Sequence, residues 1–93
     1  MKKVTSLNNL PIIYSLVIAE ISSNTDLTTA DIPVEGQEIA IIVKNTGSSS
    51  ITVTIPNGGQ YVNFGADTLT IEAGKYAEIN LLSDGENIYI RSI

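Results

Sequence analysis

The sequence predicts an all-β fold, an antiparallel β-sandwich of Greek-key or jelly-roll type with about seven strands. Ile51-Thr52-Val53-Thr54-Ile55 alternates apolar and hydroxyl side chains with period two, as a strand with one dry and one wet face does. Turn residues such as Pro56-Asn57-Gly58-Gly59 recur at intervals of about ten residues, the rhythm of short strands in a sandwich or small barrel. No stretch carries a long amphipathic helical period.

Taken in order, residues 1–10 are largely polar and read as an N-terminal arm, followed by a single sandwich domain over 11–93. Residues 12–21 are rich in β-branched side chains and read as a strand, with a short helix as the competing form. Residues 22–31 collect Ser, Asn, Thr and Asp, whose side chains bond to nearby backbone and favour turns; Thr28 to Asp31 could form one helical turn before Pro33.

A central strand follows at 38–44, with Ile39, Ile41 and Val43 on one face and Ala40 and Ile42 on the other. Asn45-Thr46-Gly47 and three serines lead to the strand at 51–55, and a short strand is expected at 60–64. The strand at 68–72 points Leu69 and Ile71 inward, and Ala73-Gly74 turns the chain into 75–82. There Ala77, Ile79 and Leu81 oppose Tyr76, Glu78 and Asn80. Asp84-Gly85 suits the positive φ angles of a tight hairpin. The last strand, 87–93, points Ile88 and Ile90 inward and Tyr89 and Arg91 outward. No internal repeat or linker divides the 93 residues, so one domain is expected.

Composition narrows the chemistry. With no Cys and no His, the chain has neither a disulfide nor the common ligands of transition metals, and a Ser-His-Asp triad cannot be built. Five basic residues against ten acidic give a net charge of −5, and Lys2-Lys3 is the one adjacent basic pair, so nucleic acid is a poor partner. Lys2-Lys3 and the apolar run after Leu10 resemble the outline of a signal peptide. Pro11, Tyr14, Ser15 and Glu20 interrupt it, and no small-residue cleavage site follows. No run approaches the about 20 apolar residues of a membrane-spanning helix.

Paired carboxylates are the remaining catalytic device. Asp26, Asp31, Glu35, Glu38, Glu72 and Glu78 are the candidates, and each also fits a solvated rim. Asp26 and Asp31 lack the loop spacing of a calcium site, Gly58, Gly59 and Gly65 precede no helix that could cradle a phosphate, and no cofactor is expected. Tyr61, Tyr76 and Tyr89 are expected to be exposed, where they would serve either as ordinary strand formers or as stacking surfaces for a glycan. Thr52, Thr54, Thr68, Thr70, Asn80 and Asn87 are expected to coat an outward face with short neutral groups. Charged residues make up 16% of the chain, which is low for a small free monomer and points to assembly.

Gly36-Gln37-Glu38-Ile39, Ile42-Val43-Lys44-Asn45-Thr46-Gly47-Ser48 and Ile51-Thr52-Val53-Thr54-Ile55-Pro56 form a recurrent order. Ala73-Gly74-Lys75-Tyr76-Ala77-Glu78-Ile79, Ser83-Asp84-Gly85 and Ile88-Tyr89-Ile90-Arg91 complete it. Residues 34–93, about 60 of the 93, thereby resemble a β-module of tailed-bacteriophage virion proteins: capsid auxiliary or decoration proteins, head fibres and tail-fibre domains. That family shares rhythm rather than a catalytic set. The resemblance implies a non-enzymatic virion protein, assembled as a homotrimer on the major capsid protein or other virion proteins, with residues 1–10 as anchor. Without a long stalk, a capsid-bound subunit or short head appendage fits better than a fibre. The alternative is a carbohydrate- or receptor-binding module acting through Tyr61, Tyr76 or Tyr89.

Overall fold

The computed structural model describes residues 1–11, 13–30 and 35–92, which form nine strands and no helix. Ile12, Asp31, Pro33, Val34 and Ile93, which figure in the expectations above, lie outside the described residues. The strands are β1 (Lys2–Val4), β2 (Leu16–Ile21), β3 (Thr25–Asp26), β4 (Glu38–Asn45), β5 (Ile51–Thr54), β6 (Tyr61–Asn63), β7 (Thr68–Ile71), β8 (Tyr76–Ser83) and β9 (Ile88–Ser92).

Period-two alternation sets the inside and outside of each strand. On β4, Ile39, Ile41 and Val43 are buried, whereas Glu38 and Lys44 are exposed and Ala40 and Ile42 half-buried. On β9, Ile88 and Ile90 are fully buried and Arg91 is exposed. Ile71 is buried as expected, while Leu69 is half-buried against the same core. One sheet runs β1-β2-β4-β8-β9-β6 and the other β3-β5-β7. Apolar residues of both sheets join Leu7, Leu10 and Leu27 in one core.

The antiparallel seven-strand expectation is corrected. Nine strands are present among the described residues, and four of their pairings are parallel: β1 with β2, β2 with β4, β3 with β5, and β6 with β9. The cause lies in the connections. After β2 the chain enters the other sheet as β3 and returns as β4, so it re-enters the first sheet in its original direction. The Asn45-Thr46-Gly47 loop and the Ala73-Gly74 turn also cross between sheets rather than closing hairpins. At Ala73-Gly74 the Lys75 N–H donates to the Glu72 carbonyl (3.0 Å) and Gly74 takes φ +75°, the type II geometry that glycine permits. Asp84-Gly85 does close a hairpin, pairing β8 with β9.

Residues 1–10, expected to form an arm, are instead built into the fold. Lys2, Lys3 and Val4 pair in parallel with Val17, Ile18 and Ala19 at the edge of the larger sheet. The chain then crosses over the core. Leu10 N–H donates to the Thr28 carbonyl (2.8 Å) and Thr28 N–H to the Leu7 carbonyl (3.0 Å), which leaves Leu7 and Leu10 buried between the layers. Thr28–Ala30 therefore forms a strand-like bridge, not the helical turn considered from sequence.

A buried asparagine ties the two sheets. Asn45, at the end of β4, donates through Nδ2 to the carbonyls of Ser49 (2.8 Å) and Ile71 (2.9 Å), and its Oδ1 accepts from Gly47 N–H (2.9 Å). Burying an amide costs free energy unless its hydrogen bonds are made, and here they are.

Candidate functional site

The smaller sheet turns a polar face to solvent. Thr52 pairs with Thr70 and Thr54 with Thr68, forming the short neutral ladder expected from the sequence. Asn80 and Asn87 do not belong to it: Asn80 lies on the larger sheet and Asn87 in the β8–β9 turn.

The outer face of the larger sheet is different. Its register sets side chains in four rungs. Glu38, Leu82, Tyr89 and Val62 form the first, and Leu16, Ala40, Asn80 and Arg91 the second. Lys3, Ile18, Ile42 and Glu78 form the third, and Glu20, Lys44 and Tyr76 the fourth. Aliphatic side chains thus run through the middle of a face that no other element of the described residues covers. A face of this kind marks an interaction surface more often than a lone exposed leucine does.

Ala40 and Asn80 are the short side chains of the second rung, and above them the face sinks into a groove of about 640 Å³. Phe64 and Tyr89 wall one side, with ring centroids 6.0 Å apart and planes 11° from parallel. Phe64 is 72% exposed. Glu38, Glu78 and Arg91 supply charge around the groove. Groove volume and mixed lining fall in the range of small-ligand sites.

Tyr89 is held from behind. Its hydroxyl donates to Asp84 Oδ2 (2.8 Å), while Asp84 Oδ1 accepts from the N–H groups of Asn87 (2.7 Å) and Glu86 (2.9 Å). Those backbone donors, first that of Asn87, hold the Asp84 carboxyl below its ordinary value, and donation to Asp84 raises the Tyr89 phenol above its own.

The three tyrosines singled out from sequence therefore have different roles. Tyr89 lines the groove. Tyr76 is 71% exposed on the fourth rung, away from the groove. Tyr61 is not exposed as expected: it packs against the core, where its hydroxyl accepts from Thr29 N–H (3.0 Å) and bonds the Thr29 hydroxyl (2.8 Å). Phe64 was missed as a site residue, because one aromatic at the end of a short strand carries no directional signal.

The carboxylates do not converge. Glu38 and Glu78 both line the groove, but Glu78 sits opposite Ile42, four residues along β4 from Glu38. Their backbones are thus about 13 Å apart along the sheet, against roughly 5–9.5 Å between the paired carboxyls of glycosidases. Asp26 borders a shallow polar depression on the smaller sheet, with Asn8, Asn24, Thr25, Thr52 and Thr54. Among the described residues no three acidic side chains gather to hold a metal ion, and no helix is long and apolar enough to cross a membrane.

Comparison with known proteins returns no matching family model, no matching characterised protein and no matching solved structure.

Proposed function

We propose that this chain is a non-enzymatic structural subunit of a bacteriophage virion, of the capsid auxiliary, decoration or short head-appendage type, acting through protein–protein assembly. The architecture that goes with this reading is a two-layer β-sandwich with mixed sheets. The observation that carries assembly is the outer face of the larger sheet, where half-buried Leu16, Ile18, Ala40 and Ile42 and exposed Leu82 form an apolar strip. The phage setting rests on the rhythm of residues 34–93. Attachment to the major capsid protein and self-association, expected from the sequence as a homotrimer, both call for such a face. Residues 1–10 are held to the domain through β1 and through buried Leu7 and Leu10 rather than forming a free arm.

Mass spectrometry of purified particles from the phage genome encoding the chain tests the setting. The chain is expected in stoichiometric amount beside the major capsid protein; its absence from intact particles would rule the virion role out.

A second reading is favoured by one observation, the groove beside the stacked Phe64 and Tyr89. A sugar ring could lie on that aromatic wall with Asn80, Arg91 and Glu38 at its hydroxyls. Glycan-array binding that disappears in Tyr89→Ala would support it, and a silent array would count against it.

A further inference from the structure

The geometry points to the occupant of the outer face of the larger sheet: a second copy of this chain, packed face to face about a two-fold axis lying across the strands between the Ala40 and Ile42 rungs. The inference deepens the assembly reading and rests on it.

The charges on the face are balanced where those of the chain are not. Glu20, Glu38 and Glu78 stand beside Lys3, Lys44 and Arg91, so three of the five basic residues gather here and the remainder of the chain carries seven acidic against two basic. A basic partner would suit the rest of the surface better than this face. The face is neutral overall, with Glu20 close to Lys3 (3.8 Å) and opposite Lys44, and with Glu38 and Lys44 at the two ends of β4, an arrangement that a second copy turned end for end complements.

The register then decides the fit. A half-turn about that axis brings the first rung of one copy over the fourth of the other, and the second over the third. Glu38 meets the partner's Lys44, and it does so twice in the pair, as an isologous interface requires. Over Ala40, where the groove is deepest in side-chain terms, stands the partner's Ile42, a large residue over a small one. Leu16 meets the partner's Ile18. Glu78 of the partner subunit comes over Asn80, beside Arg91 on the next strand.

The size is adequate. The fifteen outward positions, each about 4.8 Å by about 6.8 Å, outline a face of roughly 500 Å² per copy, below the about 800 Å² that each partner contributes to a standard interface and in the range of a pair that dissociates on dilution. Exposed Tyr76 contributes to it, since Leu82 of one copy meets Tyr76 of the partner subunit.

Glu38 and Lys44 are both solvent-exposed, so reversing either charge leaves the fold intact. Sedimentation velocity of the full chain, of Glu38→Lys, of Lys44→Glu and of the two variants mixed tests the pairing. The unmodified chain is expected to dimerise. Each variant alone sets like charges together twice and is expected to weaken the dimer by about tenfold or more, and mixing the two restores both pairs and the dimer. A monomer at tens of micromolar, a trimer, or no recovery on mixing would overturn the inference, as would a monomer that binds a glycan through the groove. Pairing that persists in a chain absent from virions sinks the virion reading and leaves this one standing; a monomer found in virions does the reverse.

Discussion

Asn45 shows how one side chain can decide whether two sheets stay joined. It satisfies the Ile71 carbonyl of the smaller sheet from the end of a strand in the larger one. Asn45→Ala removes all three of its hydrogen bonds and leaves buried polar groups unpaired, so a loss of about 2–4 kcal/mol is expected in urea unfolding. Asn-Thr-Gly reads from sequence as a loop, but the loop begins one residue later, because Asn45 still pairs with Ile21 as the last residue of β4. Nothing in the pattern reveals that Asn45 points inward, because that depends on where the loop lands. Tyr61 failed to be legible for the same reason: its polar tip reaches Thr29, 32 residues away. Asp84 and Tyr89 give a pH signature. The Asp84 carboxyl is lowered from 3.8, so its contribution is present above that value and lost as pH falls through the folded value. The Tyr89 phenol is raised from 10.0, so its contribution is complete below that value and lost as pH rises through the folded value. Both groups are exposed and the effects small. Melting followed against pH is expected to show a shallower acid limb in Asp84→Asn and a shallower alkaline limb in Tyr89→Phe.

At the scale of elements, alternation told the truth about faces and said nothing about partners. The inward residues of β4, β8 and β9 could be named from sequence because the side-chain period of a strand is fixed. Parallel pairing could not, since a turn between strands of one sheet and a crossing between two sheets use the same Gly, Asn and Ser. The two-residue β3 lay hidden in a segment rich in turn formers, where pairing with β5 overrides local preference. The N-terminal segment misled most. Its polar residues read as an arm, whereas Leu7 and Leu10, spaced three apart without strand or helix period, close the core. Burying two leucines contributes roughly 3–6 kcal/mol, comparable to the whole stability of a small domain. A chain lacking residues 1–10 is therefore expected to lose cooperative thermal melting by circular dichroism. A sharp, near-native transition would show that the segment is dispensable.

For the whole molecule, the larger sheet presents two opposite kinds of surface, a dry core face and an outer face that is half dry. The core face was legible in the sequence. The groove and its aromatic wall were not, because they arise from residues on three separate strands, β4, β8 and β9, on Ser15 ahead of β2 and on the chain after β6. Low charge content pointed to assembly, and the register places an apolar strip with three acidic and three basic side chains around it on this outer face. The proposed pairing of two copies through this outer face is tested by sedimentation equilibrium of the unmodified chain over a dilution series. Pairing gives a species of twice the 9.9 kDa chain mass that dissociates to monomer on dilution. A mass fixed at that of one chain up to tens of micromolar would contradict it.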